Sequence, residues 1–292
     1  MKKTLAMMTA AMMVAGALAG CGSSGSTPAA TTAAATEAAT DAATTEAAGD
    51  TAAAAEGTVK TPSGKFTVGF DQEFPPMGFV GDDGQFTGFD LDLAKEVASR
   101  LGLEFVPQPI NWDAKDMELD SGNIDCIWNG FTMQGREDAY TWVGPYMANN
   151  QVFVVTADSD IASKADLAGK AVEVQKDSSG LAALQGDAEL SASFGSMTEV
   201  ADYNTALMDL ESGACDAVCM DSIVAGYQIK SSGKDMKILD DTLAAEEYGI
   251  GFKKGEDELA KAVHDTLMEM KDDGTVAKIS NDWFGSDVFT LK

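Results

Sequence analysis

Two segments of the chain echo each other, and polar side chains follow both. Ser121-Gly122-Asn123-Ile124-Asp125-Cys126-Ile127 and Ser212-Gly213-Ala214-Cys215-Asp216-Ala217-Val218 share the pattern S-G-x-x-D-x-(Ile/Val). In each, a helix stops at glycine, an aspartate follows and a buried strand begins, as two similar α/β lobes would produce. Ligands of open α/β sheets bind just past the carboxyl ends of strands. Asn129-Gly130-Phe131-Thr132 and Asp221-Ser222, which follow the two echoes, are therefore the first places to look for a site. Asp221 also fits a helix N-cap for the segment beginning at Ser222, and the two roles can coexist.

The other reactive residue types point away from catalysis. His264 is the single histidine and lies beside an apolar helical stripe of Leu259, Val263, Leu267 and Met270, where a solvated helix position explains it. Asp113, Asp116, Glu118 and Asp120 lack the spacing of a calcium loop and read as a solvated helix face. Of four cysteines, Cys126 and Cys219 sit in short apolar runs as small buried hydrophobes, and Cys215 and Cys219 have no histidine nearby to suggest zinc. No cofactor or metal is expected.

The elements that must position these residues alternate strand and helix. Strands are expected at Phe66–Phe70, Leu103–Val106, Ile124–Trp128, Gln151–Thr156, Ala171–Val174, Ala217–Met220 and Gly249–Phe252. Phe79–Gly88 reads as a hairpin around Asp82-Asp83-Gly84. Asp90 is expected to cap a helix that ends at Gly102, Trp112–Leu119 to form a short helix, and Thr198–Glu211 and Asp257–Lys271 longer ones. Such alternation implies parallel sheets in an α/β fold.

The ends set the compartment. Met1-Lys2-Lys3 followed by a short apolar run to Ala17 reads as a secretory signal, too short to span a bilayer. Residues 1–20 are assigned to it. Leu18-Ala19-Gly20-Cys21 resembles the bacterial lipobox, which makes Cys21 the lipidation site and the acyl chains a membrane anchor. Residues 21–58 then form a tether. Gly22–Thr58 contains no aromatic, Leu, Ile or Val residue and cannot offset its ordering entropy. As a flexible chain it reaches about 30 Å. The formal net charge of −27 repels phosphate backbones, so nucleic-acid binding is discounted.

Several further pieces occur in order along the globular part. They are Val68-Gly69-Phe70-Asp71-Gln72-Glu73-Phe74-Pro75-Pro76, Gly88-Phe89-Asp90-Leu91-Asp92-Leu93-Ala94, Asp166-Leu167-Ala168-Gly169-Lys170, Tyr248-Gly249-Ile250-Gly251-Phe252, Lys271-Asp272-Asp273-Gly274-Thr275 and Trp283-Phe284. Together they resemble the family 3 extracellular solute-binding proteins, the polar amino acid binders of ABC importers. The resemblance implies a type II periplasmic-binding-protein-like fold, with two α/β lobes, two hinge strands and a ligand cleft between the lobes. Lobe 1 is expected at 59–150 plus 251–292 and lobe 2 at 151–250, with hinges near Gln151 and Ile250.

The resemblance also implies a site for a small amino acid. Arg136 is the candidate for the ligand carboxylate, since a guanidinium offers a bidentate fork. The family's stretch before this arginine is one residue longer and often contains proline; here it is Met133-Gln134-Gly135, and a surface Arg136 paired with Glu137 or Asp138 is the alternative. Asp221 is the candidate for the ammonium. Thr132, the Gly130 backbone, Ser178 and secondarily Ser179 would add hydrogen bonds, with a turn or cap as the alternative for the serines. Phe74 and Trp112 would wall the ligand, with core packing as the alternative, and Trp128 reads as core. Asp71, Asn129 and Gln175 fall where ligand side chains are contacted. The implied partners are an ABC permease and, through the anchor only, the membrane; the protein is expected to be a monomer on the outer face of the cytoplasmic membrane. Two other readings stay open: a cyclohexadienyl-type dehydratase, for which Glu73 and Glu173 are the spare acids, and a ligand-sensing module.

Overall fold

The computed structural model describes Thr61 and residues 63–292, and the assignments of a signal, Cys21 lipidation and tether to residues 1–58 lie outside the described residues. The first half of the fold comprises β1 (Lys65–Phe70), β2 (Glu73–Phe74), β3 (Gly78–Val80), β4 (Phe86–Thr87), α1 (Phe89–Leu101), β5 (Glu104–Pro109), α2 (Lys115–Ser121), β6 (Cys126–Thr132) and β7 (Tyr140–Thr156). It continues through β8 (Ala171–Gln175), α3 (Ser179–Gly186), α4 (Ala188–Ser193), β9 (Ser196–Val200), α5 (Tyr203–Ser212), β10 (Ala217–Asp221), α6 (Ser222–Ser232), β11 (Met236–Lys253), α7 (Asp257–Asp272) and α8 (Thr275–Phe284). Short 3₁₀ turns at Trp112–Ala114 and Lys164–Leu167 precede α2 and β8.

Among the described residues, eight strands form one sheet in the order β5-β1-β6-β11-β7-β10-β8-β9, and β2-β3-β4 form a small second sheet. Each end of the large sheet is parallel: β1 lies between β5 and β6, and β8 between β10 and β9. The middle is antiparallel, where β11 and β7 pair with each other, with β6 on one side and β10 on the other. This is the two-lobed architecture: two α/β halves joined by two strands of 17 and 18 residues that run through both.

The two echoes do the same structural work. Gly122 and Gly213 end α2 and α5 in the left-handed region, at φ 75° and 77°. Asp125 then accepts from the Thr67 backbone N–H of β1 at 2.6 Å, and Asp216 accepts from the Ala171 N–H at 2.8 Å at the start of β8. Each aspartate fastens its strand to the neighbouring one, which frees the strands' far ends for a site.

Burial holds the layers together. Phe66, Val68 and Phe70 of β1 are fully buried and share one apolar cluster with Leu93, Ala94 and Val97 of α1. A second cluster joins Phe153 of β7 to Val172, Val174, Leu181 and Leu184. Each large buried side chain of this kind contributes about 1.5–3 kcal/mol.

Three expectations need correction. Asp90 is not the cap of α1; Gly88 is, and Asp90 sits in the first turn with its carboxylate aimed into the core. Thr198–Val200 belong to strand β9 rather than to a helix, because pairing with β8 sets their conformation, and α5 begins at Tyr203. The strands expected at Gln151–Thr156 and Gly249–Phe252 are the ends of much longer ones, since polar residues in their middles face a partner strand and hide the apolar signal.

Candidate functional site

The carboxyl ends of β6, β8 and β10 converge on a small central cavity. Phe74, Trp112, Gly130, Thr132 and Arg136 line it from one half of the fold, and Gln175, Ser178, Ser179 and Asp221 from the other. Two open recesses flank it, one sharing Arg136 and Ser179, the other sharing Trp112.

At one side stands a cation. The shortened stretch before Arg136 closes as a tight turn, with the Arg136 N–H donating to the Met133 carbonyl at 3.0 Å and Gly135 at φ 79°, a conformation that glycine adopts freely. The turn returns Arg136 to the cleft. Its guanidinium lies 5.1 Å from the Phe131 ring centre and donates to the carbonyls of Thr132 (3.2 Å) and Asp177 (3.3 Å). Among the described residues it has no carboxylate partner. The N-terminus of α3, at Ser178 and Ser179, borders the same cavity and adds a field that favours an anion. Ser178 also caps that helix, accepting from the Leu181 N–H at 3.1 Å.

At the other side stands a buried acid. Asp221 is 3% exposed and occupies the N-cap position of α6, yet its side chain makes no capping bond. It accepts instead from Asn149 Nδ2 (2.7 Å), the Tyr248 hydroxyl (2.7 Å) and the Tyr203 hydroxyl (3.0 Å). Burial, and next the charge of Glu246, push its carboxyl up to about 7. No cation meets it among the described residues.

The walls are apolar. Phe74 is tilted against Tyr203 at 5.8 Å, and Trp112 stands edge-on to Phe131 at 5.5 Å. Gly130, at φ 58°, leaves room for them; a Cβ there would lie 3.0 Å from both the Phe74 and Tyr248 rings. Its amide is not free for a ligand, because the Gly130 N–H donates to Asp90 Oδ2 at 2.7 Å. The expectation that this backbone group binds a carboxylate is corrected accordingly. Asp90 is fully buried, also accepts from the Tyr146 hydroxyl at 2.8 Å, and is pushed up to about 7 by burial.

A family model for bacterial extracellular solute-binding proteins, family 3, matches residues 66–286. The chain belongs to that family. It is similar to the L-cystine-binding protein TcyJ of Escherichia coli, with 31% identity over 77% of this chain and 84% of the relative. The L-cystine-binding protein TcyA of Bacillus subtilis is 32% identical over 77% of this chain and 83% of its own length. Among solved structures, a substrate-binding protein of an ABC uptake transporter from Streptococcus pneumoniae with bound histidine superposes with a TM-score of 0.76. It is 34% identical, and the match covers 78% of this chain and 95% of that one.

As a family 3 protein, the chain carries its cleft in a closed arrangement. Gln175 donates across it to Asp71 Oδ2 at 2.7 Å, and the Thr132 hydroxyl donates to Ser179 Oγ at 3.2 Å. Lys115, only 1% exposed, lies 5.2 Å from the Trp112 ring centre and pairs with the Asp177 carboxylate from the other half. Asp177 is the one non-glycine residue with positive φ among the described residues, at 56°, which points its carboxylate at Lys115 and its carbonyl at Arg136. On the surface Lys176 pairs with Asp113 at 2.6 Å, and half-buried Asn204 donates to Glu73.

Two expected site residues stand behind the cavity. Asn129 accepts from the Asp71 N–H at 3.0 Å and is 1% exposed, so it supports Asp71 rather than facing the cavity. Asp71 borders a flanking recess and is pushed up to about 6, chiefly by burial. Glu73 and Glu173 also lie outside the cavity lining. The residue that sequence reasoning missed is Glu246, 6% exposed on β11, whose Oε1 accepts from Asn149 (2.6 Å) and Gln151 (2.9 Å). It lies in the stretch Asp240–Glu247, which carries no apolar period, and only the pairing of β11 with β7 reveals its position.

Proposed function

We propose that this chain captures a free α-amino acid in the central cavity and delivers it to the permease of an ABC importer. The observation that carries this reading is the pair of unanswered charges in one cavity. Among the described residues, the Arg136 guanidinium lacks a carboxylate partner and the Asp221 carboxylate lacks a cation, as the two ends of a zwitterion require. A dry cleft makes both contacts strong, and both must be made for the charges to be accommodated. Relatives that bind cystine, and a solved structure holding histidine, support the ligand class.

In this reading Phe74 and Trp112 sandwich the ligand, Thr132, Ser178 and Ser179 assist Arg136, and Gln175, which donates to Asp71 behind it, faces the ligand's side chain. Residues 59–150 with 251–292 form one lobe and 151–250 the other, and closure brings Arg136 and Asp221 onto the same molecule. Cys21 anchors a monomer by its acyl chains to the outer face of the cytoplasmic membrane, and the tether leaves the lobes free to reach the permease.

Calorimetric titration of the protein, after unfolding and refolding to strip bound solute, against the common amino acids tests the proposal. One or a few should bind, and Arg136→Ala should weaken every one of them by about 2–5 kcal/mol while the fold stays intact. Normal binding by that variant would refute the carboxylate assignment; turnover of cyclohexadienyl acids in place of binding would refute the reading itself.

A further inference from the structure

We propose that Asp221 holds a proton in the ligand-free protein, kept there by its burial beside the Glu246 carboxylate, and that a ligand's ammonium group expels it to solvent on binding. The second step rests on the amino acid reading. The geometry begins at Asn149, whose single Nδ2 donates to Asp221 Oδ1 at 2.7 Å and to Glu246 Oε1 at 2.6 Å. One NH₂ group therefore bridges two carboxylates, 3% and 6% exposed.

Every other donor to the pair among the described residues is neutral. Glu246 receives the Gln151 amide (2.9 Å) from β7 and the Ser179 hydroxyl (3.4 Å) from α3. Asp221 receives the hydroxyls of Tyr203 from α5 and Tyr248 from β11, both held well above the usual tyrosine range by burial and by the nearby carboxylates. Cys219, on the strand that carries Asp221, is likewise held protonated by burial. The one cation on the cavity wall among the described residues, Arg136, points its guanidinium at carbonyl oxygens.

Burial with only neutral donors, and a second carboxylate across one NH₂ group, disfavour the charged form of Asp221, so it keeps a proton near neutral pH. The elevation of the Asp221 carboxyl to about 7, with Glu246 the second cause after burial, agrees with this. When an ammonium donates to Asp221, its positive charge replaces the proton's. The O–H bond of Asp221 breaks, the proton goes to water, and the complex holds the Asp221 carboxylate against the ammonium. Capture then weakens as pH falls, by about tenfold per unit below the Asp221 midpoint.

Two measurements on the full-length protein decide whether Asp221 holds this proton. Carboxyl ¹³C NMR of the ligand-free protein should show Asp221 titrating near 7, and Glu246→Gln, which keeps an acceptor for Asn149, should lower that midpoint by about a unit or more. A midpoint in the ordinary carboxylate range would overturn the held proton, and one unmoved by the variant would overturn the part given to Glu246. Titration calorimetry with L-cystine, L-histidine and L-arginine in buffers of different ionisation enthalpy should show release of up to one proton per bound ligand at about pH 6, reduced by more than half in Glu246→Gln. Binding without proton release would overturn the coupling. Failure of the common amino acids to bind would sink the amino acid reading instead, and with it the ligand-driven step, while the NMR titration still decides whether Asp221 holds a proton.

Discussion

Replacing Asp90 with asparagine should make the ligand-free protein's stability respond less to pH. The Asp90 carboxyl is fully buried and accepts from Gly130 and Tyr146, and burial lifts it from 3.8 to about 7 in the fold. Between those two values the folded state binds more protons than the unfolded chain, so stability falls as pH rises through that window. The shift of roughly three units, at about 1.4 kcal/mol each, corresponds to about 4 kcal/mol lost from wild type between pH 4 and pH 8. The asparagine side chain never ionises, and its carbonyl oxygen still accepts from the Gly130 amide. Any cost of burying its NH₂ group is the same at every pH. Asp71 and Asp221 are also raised, but they are present in both proteins and cancel in the difference. Urea unfolding of both proteins across this range should therefore show the Asp90→Asn variant gaining on wild type by about 4 kcal/mol from the acid end to the alkaline end. A difference that stays constant would mean that Asp90 is not held protonated by its burial, and the argument would fail.

Asp177→Asn keeps a residue that tolerates positive φ but removes the charge facing Lys115, which is 1% exposed in the closed cleft. Dissociation of ligand should speed up by about ten- to a hundredfold, matching about 1.5–3 kcal/mol, with association little changed in stopped-flow measurements. An unchanged dissociation rate would show that the pair does not hold the cleft shut. Gly130→Ala should destabilise the protein by about 2–4 kcal/mol in denaturant titrations, from the left-handed backbone and the crowding of its Cβ against Phe74 and Tyr248. Ligand affinity should fall with it, and a wild-type denaturation midpoint would refute the steric argument.

Much of the fold was legible because its signals are local. The glycine stops at Gly102, Gly122 and Gly213 all occur as left-handed helix ends, and the hairpin pairs Phe79 with Thr87 as the Asp-Asp-Gly turn implies. Part of the cavity lining was legible for a different reason. Residues past strand ends are placed by topology, so the two echoes point to Gly130, Thr132 and Asp221 without knowledge of any contact. What escaped depends on pairing between distant segments. Nothing near Glu246 in sequence says that Asn149 stands opposite it, and Asp90 looks like a cap because its partners, Gly130 and Tyr146, lie 40 and 56 residues away. The hydroxyl of Ser179 likewise bridges Thr132 and Gln151 only because the two halves meet.

The two long strands that join the halves are hydrogen-bonded to each other along their length, with Asn150 opposite Ala245 and Met147 opposite Tyr248. A ribbon of this kind resists stretching and sliding far more than it resists bending or twisting. It behaves as a leaf spring with few soft modes, not as a pair of independent strings. Glu246 and Asn149 sit opposite each other on that ribbon, and Asn149 donates both to Glu246 and to the carboxylate of Asp221. The strands that join the halves thus carry a direct partner of Asp221. A change of charge at that carboxylate acts on the ribbon itself, without a relay of intervening side chains.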